Sequence, residues 1–504
     1  MSEQRNVTYR FNLRDRTGWF LGLEGPQCIA LGAGVVGAGA LLNAGAPGPS
    51  VFVPLLFAAG FSLGQWQGRP IHSLAPIAAT WGFSRITQGR SWRAPVPRFR
   101  TDGSPTATQP SLPPVLSGTT IDESDIAWTR RSRSEAAAII RDATERTATA
   151  VLRVSGREFA LCERDDQQRL LAQWGDALAA FCAERAPVAK VRWIEWSAPA
   201  GLDDQLGYLA RHQTAADDAD PVAAYRELLG SAGPMSTRHE VLVAVTVAQR
   251  KLRRRRGEEG EANIDETLLD EVRLLSGRLE NAGLTASLPL TPTEIATVFR
   301  YRLDPYSTPG HTSRKRSLSE MAGLVSVPNA GPMSIDEAWD YVRVDRSFHV
   351  SYAVAEWPRL EVTPNWLEPL LLHAGGIRTI AVHYEPVAHS RSQRQVDRDS
   401  VKLAADEEQR NRSGFRIGAR HRRAQAEVAE REAELVAGFP EFEYVGTVHI
   451  CAPDRGSLER SCAEYEQLAA QVGIELRRLD WQHDLALACI LPIGRGIAGK
   501  RGLQ

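Results

Sequence analysis

Residues 25–68 read GPQCIALGAGVVGAGALLNAGAPGPSVFVPLLFAAGFSLGQWQG and contain no Asp, Glu, Lys or Arg, although these four residue types make up 24% of the 504-residue chain. Two apolar runs, 28–42 and 51–63, flank the turn-forming sequence Pro47-Gly48-Pro49. A bilayer core about 30 Å thick requires around 20 helical residues per crossing, so each run reaches that length only with its neutral flanks. The stretch therefore predicts a hairpin of two transmembrane helices, over about residues 26–45 and 50–67, within an N-terminal membrane region of residues 1–100.

Arginines flank the apolar stretch on both sides. Because such flanks resist translocation, the N terminus and the residues after the hairpin are both expected in the cytoplasm, which makes the chain a multi-pass protein of the plasma membrane. Ala30, Gly34 and Ala38, spaced by four, would let the two helices pack closely. The preceding arginines are Arg5, Arg10, Arg14 and Arg16, and Arg69, Arg85, Arg90, Arg93, Arg98 and Arg100 follow, with no acidic residue between position 68 and Asp102.

Two other interpretations of the stretch stay open. A cleaved signal peptide would use Ala44-Gly45-Ala46 as its small-residue cleavage site, although Pro47 would then follow the cut and a second apolar run comes directly after it. A buried hairpin of a soluble protein is the other interpretation, because the stretch is rich in Gly and Ala.

Composition limits the classes of function. The formal net charge of −1 gives no global argument for nucleic-acid binding. The six cysteines form no CxxC pair, so we expect neither a disulfide framework nor a zinc site. The histidines show no compact ligand spacing, and His349 and His449 fall inside predicted strands, where a structural role is the usual one.

After the hairpin, the pattern indicates a mixed α+β protein. Residues 101–120 are rich in Pro, Ser, Thr and Gly and predict a linker. Residues 306–332 mark a boundary between two cytoplasmic subdomains, 121–310 and 333–504. Strands are predicted over 149–155, 188–196, 240–249, 348–357, 377–385, 444–451 and 474–479. Helices are predicted over 264–279 and 292–303, over a long charged segment 393–437, and over 457–472 with one more helix after 479.

The two subdomains repeat one order of elements. The sequences NAGLTASLPL and QVGIELRRLD each lie between two predicted helices, in matching places of the two halves. The predicted fold class is therefore α+β: a transmembrane helical hairpin followed by a duplicated α+β domain of ferredoxin-like type in the cytoplasm.

The sequence motifs indicate no catalysis. GRGIAGKR at 494–501 matches the GxxxxGK part of a P-loop but has Arg501 where magnesium binding requires Ser or Thr, and no helix follows it in the sequence. We therefore expect no enzyme activity, no cofactor and no metal ion.

Two charged segments are candidate binding sites. The cluster Arg253, Arg254, Arg255 and Arg256 is a candidate for contact with lipid headgroups or nucleic acid, with a solvated loop as the alternative. The long charged helix is either a solvated helix or a docking face for a partner protein, and the candidate docking residues are Arg416, Arg420, Arg422, Arg423, Glu427 and Glu434. The terminal segment 480–495 is expected to extend this face.

From about residue 413 onward, the Arg/Glu-rich helix, the strand YVGTVHI, the helix LERSCAEYEQLAAQVGI and the closing DWQHDLALACILPIGRG resemble the segment that precedes the motor in VirB-type conjugative ATPases. WDYVRVDRSFHVSYAVAEWP and GGIRTIAVHYEP resemble the N-terminal domain of the same family more weakly. The first hundred residues resemble the PrgI-like two-helix membrane subunit of type IV secretion systems.

The resemblance implies a membrane-anchored, non-catalytic assembly subunit of a conjugative or type IV-like secretion apparatus. Such a subunit would oligomerise in the complex and dock a separately encoded hexameric VirB-type ATPase. A nucleic-acid adaptor at the membrane and an EccE-like subunit of type VII secretion remain the alternative expectations.

Overall fold

The computed structural model describes residues 11, 25–66, 69–88, 91–95, 108–130, 133–156, 159–199, 203–213, 219–232, 237–252, 263–306, 325–412 and 418–495. The chain divides into two compact units. One is formed by Leu13–Arg90, and the other by Met1–Asn12 together with Ser91–Leu503. The first unit is helical, and the second is a mixed α+β unit built on a large antiparallel sheet.

In the first unit, helices α1 (Gly25–Asn43) and α2 (Gly48–Leu63) form an antiparallel hairpin. The side chain of Gln27 at the start of α1 donates to the carbonyl oxygen of Ser62 at the end of α2, at 2.7 Å. A Cβ added to Gly34 would lie only 2.5 Å from the Cβ of Ala58, so a larger side chain would push the helices apart. Gly34 and Ala38 are buried, as the spacing of small residues predicts.

Both helices end earlier than the sequence predicts. α1 is long and apolar enough to cross a membrane, whereas α2, with 16 residues, is apolar but shorter. The chain turns at Gly64, where a Cβ would overlap the carbonyl oxygen of Gly60 and lie 2.6 Å from Cδ1 of Ile71. Two short paired strands follow, and then a third helix: β1 (Gln65–Trp66), β2 (Arg69–Pro70) and α3 (Ile71–Gln88).

In the described part of the second unit, thirteen strands form one sheet in which every pairing is antiparallel. Their order is β3-β10-β11-β12-β14-β13-β7-β8-β6-β5-β4, with β15 beside β12 and β9 beside β6. The strands are β3 Ser91–Arg93, β4 Thr119–Arg130, β5 Arg133–Asp142, β6 Thr147–Ser155, β7 Val188–Pro199, β8 Thr237–Ala248, β9 Thr285–Pro289, β10 Ser334–Glu337, β11 Val342–Val344, β12 Ser347–Glu356, β13 Ile377–Val387, β14 Glu441–Ala452 and β15 Glu475–Arg478.

Helices cover both faces of this sheet. Alternate residues of β8 point to opposite faces. Leu242 joins the core under α8 (Pro292–Leu303) and α13 (His483–Ile490), whereas Val243 joins the core under α4 (Arg164–Ala179) and α7 (Ile264–Asn281). The apolar run EVLVAVTVA is therefore that of a central strand buried on both faces. The helices of this unit are α4 Arg164–Ala179, α5 Asp203–His212, α6 Asp220–Ala232, α7 Ile264–Asn281, α8 Pro292–Leu303, α9 Glu368–Leu371, α10 His389–Arg412, α11 Ala419–Val436, α12 Arg455–Gln471 and α13 His483–Ile490.

The sheet runs without a break through both predicted subdomains. β7 from the first half pairs with β13 from the second half over seven residue pairs, from Arg378 with Ser197 to Tyr384 with Val191. The described end of the predicted linker also belongs to this unit, because Leu116 is fully buried and β4 begins at Thr119.

Local signals fixed several helix ends. Thr291 accepts from the backbone N–H of Glu294 while the Glu294 side chain accepts from that of Thr291, which is the predicted capping box of α8. Asn263 caps α7 as predicted, although its side chain accepts from Asp265.

The prediction of one long charged helix over 393–437 is wrong. The segment forms two helices, α10 and α11, and residues 413–417 between them lie outside the described part of the chain. Gly414 and Gly418 interrupt the helical pattern, and each glycine costs a helix interior about 1 kcal/mol relative to Ala.

Candidate partner interface on a charged helical arm

Helices α10 and α11 pack antiparallel as a helical hairpin, which we call the arm. Gln425 donates to Glu407 at 2.5 Å, and Arg431 lies 3.5 Å from Asp399, so the end of α11 returns to the start of α10. His421 is buried, and its Nδ1 lies 3.4 Å from the carboxylate of Asp406. The arm thus has specific contacts along its length and is not two independent helices.

The root of the arm is fixed to the sheet unit by polar contacts. The Ser390 hydroxyl donates to Glu184 at 2.7 Å, and Arg431 lies 2.5 Å from Glu441 at the start of β14. Gly438, with φ of +91°, provides the left-handed conformation that joins α11 to β14.

Charge is distributed unevenly along the arm. Residues 409–426 contain six arginines and no acidic residue. Because the helices are antiparallel, the arginines that end α10 and those that begin α11 lie at the same end, which we call the basic tip. Its described side chains are exposed or about half-exposed: Arg410, Arg412, Arg422 and Arg423. The acidic residues Glu430, Glu432 and Glu434 lie toward the root.

Three of these arginines make ion pairs within their own helices. Arg410 pairs with Asp406 at 2.8 Å, Arg412 with Glu408 at 3.0 Å and Arg423 with Glu427 at 3.1 Å. Exposed pairs of this kind contribute about 0.3–0.5 kcal/mol each, so a strongly acidic partner could replace them at little cost.

The structure does not gather all predicted docking residues into one patch. Arg422 and Arg423 lie at the basic tip with Glu427 close by, whereas Glu434 lies eleven residues further along α11, about 16 Å toward the root. Arg420 belongs to α11, but its side chain lies outside the described part, as do Arg416 and the whole cluster Arg253–Arg256.

The terminal segment 480–495 is not an exposed docking face, which corrects the sequence prediction. Leu487 and Leu491 are fully buried in the core. The buried guanidinium of Arg192 donates to the carbonyl oxygens of Ala488 at 2.7 Å, Leu491 at 2.6 Å and Arg495 at 2.5 Å. The apolar residues of ALACILPI are thus core residues.

A buried polar network crosses β12, β14 and α13. His349 Nδ1 lies 2.8 Å from His449 Nε2, and His449 Nδ1 lies 2.7 Å from the Ser351 hydroxyl. The Ser351 N–H donates to His483 Nδ1 at 3.2 Å. Burial lowers the pKa of His349 to about 4 and also lowers the pKa values of His449 and His483. These histidines are at most 4% exposed, so the network is structural, as expected for His349 and His449.

A cavity of about 280 Å³ lies at the root of the arm, between the end of β13 and the start of β14. Its walls include Cys182, Leu435 and Phe439, and burial raises the pKa of the Cys182 thiol to about 11. Such a thiol is protonated at neutral pH and is a poor nucleophile. Within the described residues, no group of three or more His, Cys, Asp or Glu side chains is arranged to hold a metal ion.

The sequence matches no protein-family model and no curated protein.

Proposed function

We propose that this chain is a membrane-anchored, non-catalytic assembly subunit of a conjugative or type IV-like secretion apparatus, and that its arm docks a separately encoded VirB-type ATPase. The observation that carries the proposal is the outer surface of the α1–α2 hairpin, which is apolar, uncharged and exposed. Ile29 is 72% exposed, Leu56 is 71% exposed and Phe57 is 77% exposed. An apolar surface of this kind requires a covering, and a bilayer provides one.

The hairpin is proposed to cross the membrane twice. At 1.5 Å per residue, α1 is about 28 Å long and α2 about 24 Å long, against a hydrocarbon core of about 30 Å. The shorter helix can be accommodated by local thinning of the bilayer at a modest cost. With arginines on both flanks, both ends of the hairpin lie in the cytoplasm.

The proposed duplication is supported by the order of strands in the sheet. In the first half, β6, β7, β8 and β9 lie in the order β9-β6-β8-β7. In the second half, β12, β13, β14 and β15 lie in the order β15-β12-β14-β13. Both orders are that of a ferredoxin-like unit, in which helices follow the first and third strands. The first half has α4 and α7 in these places, and the second half has the short α9 and α12.

The proposed docking face is the basic tip of the arm. It presents concentrated positive charge at the end of two helices, and complementary charge across an interface increases the association rate and the specificity. The resemblance of this region to the segment before the motor in VirB-type ATPases suggests the partner class.

Co-purification tests the docking proposal. The triple variant Arg420→Glu/Arg422→Glu/Arg423→Glu should lower the yield of the ATPase encoded in the same gene cluster at about 0.15 M salt, because it cancels the net positive charge of residues 409–426. The control Arg391→Glu/Arg394→Glu/Arg398→Glu makes the same change of charge near the root, on exposed residues of α10, and should keep the wild-type yield. Equal yields from both variants would exclude the tip as the docking face. A wild-type protein that never retains the ATPase would overturn the assembly proposal.

Nucleic-acid binding is a second candidate function, which the six arginines of residues 409–426 favour. A phosphate-binding tip predicts affinity for duplex DNA that falls steeply with salt. The same two triple variants separate the two candidate functions. If the tip variant loses DNA binding but keeps the wild-type ATPase yield, and the root variant keeps both, the result favours nucleic-acid binding.

A further inference from the structure

Helix α3 exposes an apolar stripe. Phe83 is 69% exposed and Ile86 is 85% exposed, and Pro76, Ala79 and Thr80 are exposed on the same side of the helix. At 100° per residue these five positions fall within an arc of about 120°. Leu74, on the opposite side, is 6% exposed. A helix bathed in water shows the reverse pattern, with its polar side exposed.

The other side of α3 carries its one cation. The guanidinium carbon of Arg85 lies 4.2 Å from the ring centroid of Trp81, and both residues lie away from the apolar stripe. An apolar face opposite a side that carries arginine is a feature of helices that lie in the plane of a membrane surface. Although α3 has 18 residues, it is not apolar enough to cross a membrane, unlike α1.

The position of α3 along the chain indicates which surface covers the stripe. The Ile71 N–H at the start of α3 donates to the carbonyl oxygen of Gly64, at 2.9 Å, directly after the end of α2. The strands β1 and β2 form a tight connection between the two helices, and Trp66 in this connection is 54% exposed. If α2 leaves the bilayer at Leu63, α3 begins at the membrane surface, where exposed tryptophan is common.

From this geometry we infer that α3 lies in the interface of the bilayer, with Pro76, Ala79, Thr80, Phe83 and Ile86 facing the acyl chains. The inference rests on the proposed membrane insertion of α1 and α2. Arg90, Arg98 and Arg100 follow α3 in the sequence with no acidic residue before Asp102, so anionic lipid headgroups are the expected surface. Arg93, between them, pairs with Asp336 at 2.8 Å and is not part of this argument.

Depth-dependent quenching of a fluorophore tests the inference in the full-length protein, reconstituted in vesicles of phosphatidylcholine and phosphatidylglycerol. The two partly exposed native thiols, Cys28 and Cys162, are first replaced by Ala. Single labels are then placed on α3 (Thr80→Cys), at the middle of α2 (Phe57→Cys) and on the arm (Val401→Cys), all at exposed positions.

A shallow lipid-bound quencher should reduce the emission at position 80 about twofold more than a deep one, because an interfacial helix enters only about 5–10 Å. Position 57 should show the reverse order, and position 401 should be quenched by neither. The variant Ile86→Glu should weaken quenching at position 80 and leave position 57 unchanged.

The outcomes separate this inference from the proposed function. Quenching at 57 without quenching at 80 would overturn the interfacial placement of α3 and leave the hairpin intact. Deep quenching at 80 would mean that α3 inserts as a span, which also overturns the inference. A label at 57 that no lipid quencher reaches would overturn the membrane hairpin itself.

Discussion

At the scale of single residues, buried arginines of this protein hold distant chain segments through hydrogen bonds. Arg192 holds three carbonyl oxygens of the terminal segment, and Arg378 is fully buried and donates to the hydroxyl of Tyr465 at 2.6 Å. A buried acceptor that loses its hydrogen-bond partner costs about 1–3 kcal/mol of folding free energy. Because these arginines are the donors to such acceptors, they fix the chain segments that they contact. Arg495 likewise fixes the end of the terminal segment, because its guanidinium lies 2.7 Å from the carboxylate of Asp142.

The His349–His449 network predicts a loss of stability in acid. In the unfolded chain histidine has a pKa near 6.5, and burial lowers the pKa of His349 to about 4 in the folded state. The unfolded chain therefore binds more protons below about pH 6.5. The free energy of unfolding is unaffected above that pH and falls as the pH decreases toward 4. His349 alone should remove roughly 2 kcal/mol between pH 7.5 and 5.

Thermal unfolding at these two pH values, followed by circular dichroism, measures this effect. The variant His349→Asn keeps a polar side chain and should show a smaller decrease of the melting temperature between pH 7.5 and 5 than the wild type. An equal decrease in both proteins would show that His349 does not carry the pH dependence.

At the scale of elements, packing between helices depends on which positions lack a side chain. Gly34 of α1 sits against α2, whereas Gly39 of the same helix has no atom within 4 Å of the position a Cβ would take. Both are glycines in one apolar helix, and their sequence surroundings are alike. Only the crossing of the two helices distinguishes them.

Gly34→Ile should therefore push α1 and α2 apart, and Gly39→Ile should not. Overpacking of this kind costs about 1–3 kcal/mol. Cysteines placed at Gln27 and Ser62, whose side chains and backbones are hydrogen-bonded in the wild type, should form a disulfide readily with Gly39→Ile and poorly with Gly34→Ile. Equal cross-linking in both variants would contradict the packing described for α1 and α2.

At the scale of the whole molecule, the chain combines an apolar helical unit with a sheet unit that carries a charged arm. The proposed topology places the turn at Pro47 outside the cell and the arm in the cytoplasm. A membrane-impermeant maleimide should then label Pro47→Cys in intact cells, and should label Val401→Cys only after lysis; both positions are exposed.

Sequencing of the N terminus of the protein isolated from membranes is the matching control. Cleavage after Ala46 would identify the apolar stretch as a signal peptide, and labelling of position 401 from outside would reverse the topology.

The sequence alone was sufficient for seven of the fifteen strands in the described part of the chain and for the capped helices, but it did not predict the long strands β4 and β5. The apolar runs of β7, β8, β13 and β14 and the capping box of α8 are local patterns, and local patterns decide local structure. The uncharged stretch 25–68 likewise identified both apolar helices, with α1 long enough to cross a membrane.

Tertiary structure decided the rest, because contacts between distant residues are not encoded in any one segment. The pairing of β7 with β13, which joins the two halves into one sheet, depends on backbone groups almost two hundred residues apart. The fold of residues 389–436 into an arm brought arginines from two helices to one tip. The apolar residues of 486–493 were expected on a partner surface, but they lie in the core of the sheet unit. Packing against the sheet removes their apolar side chains from water, and Arg192 binds the backbone of the same segment.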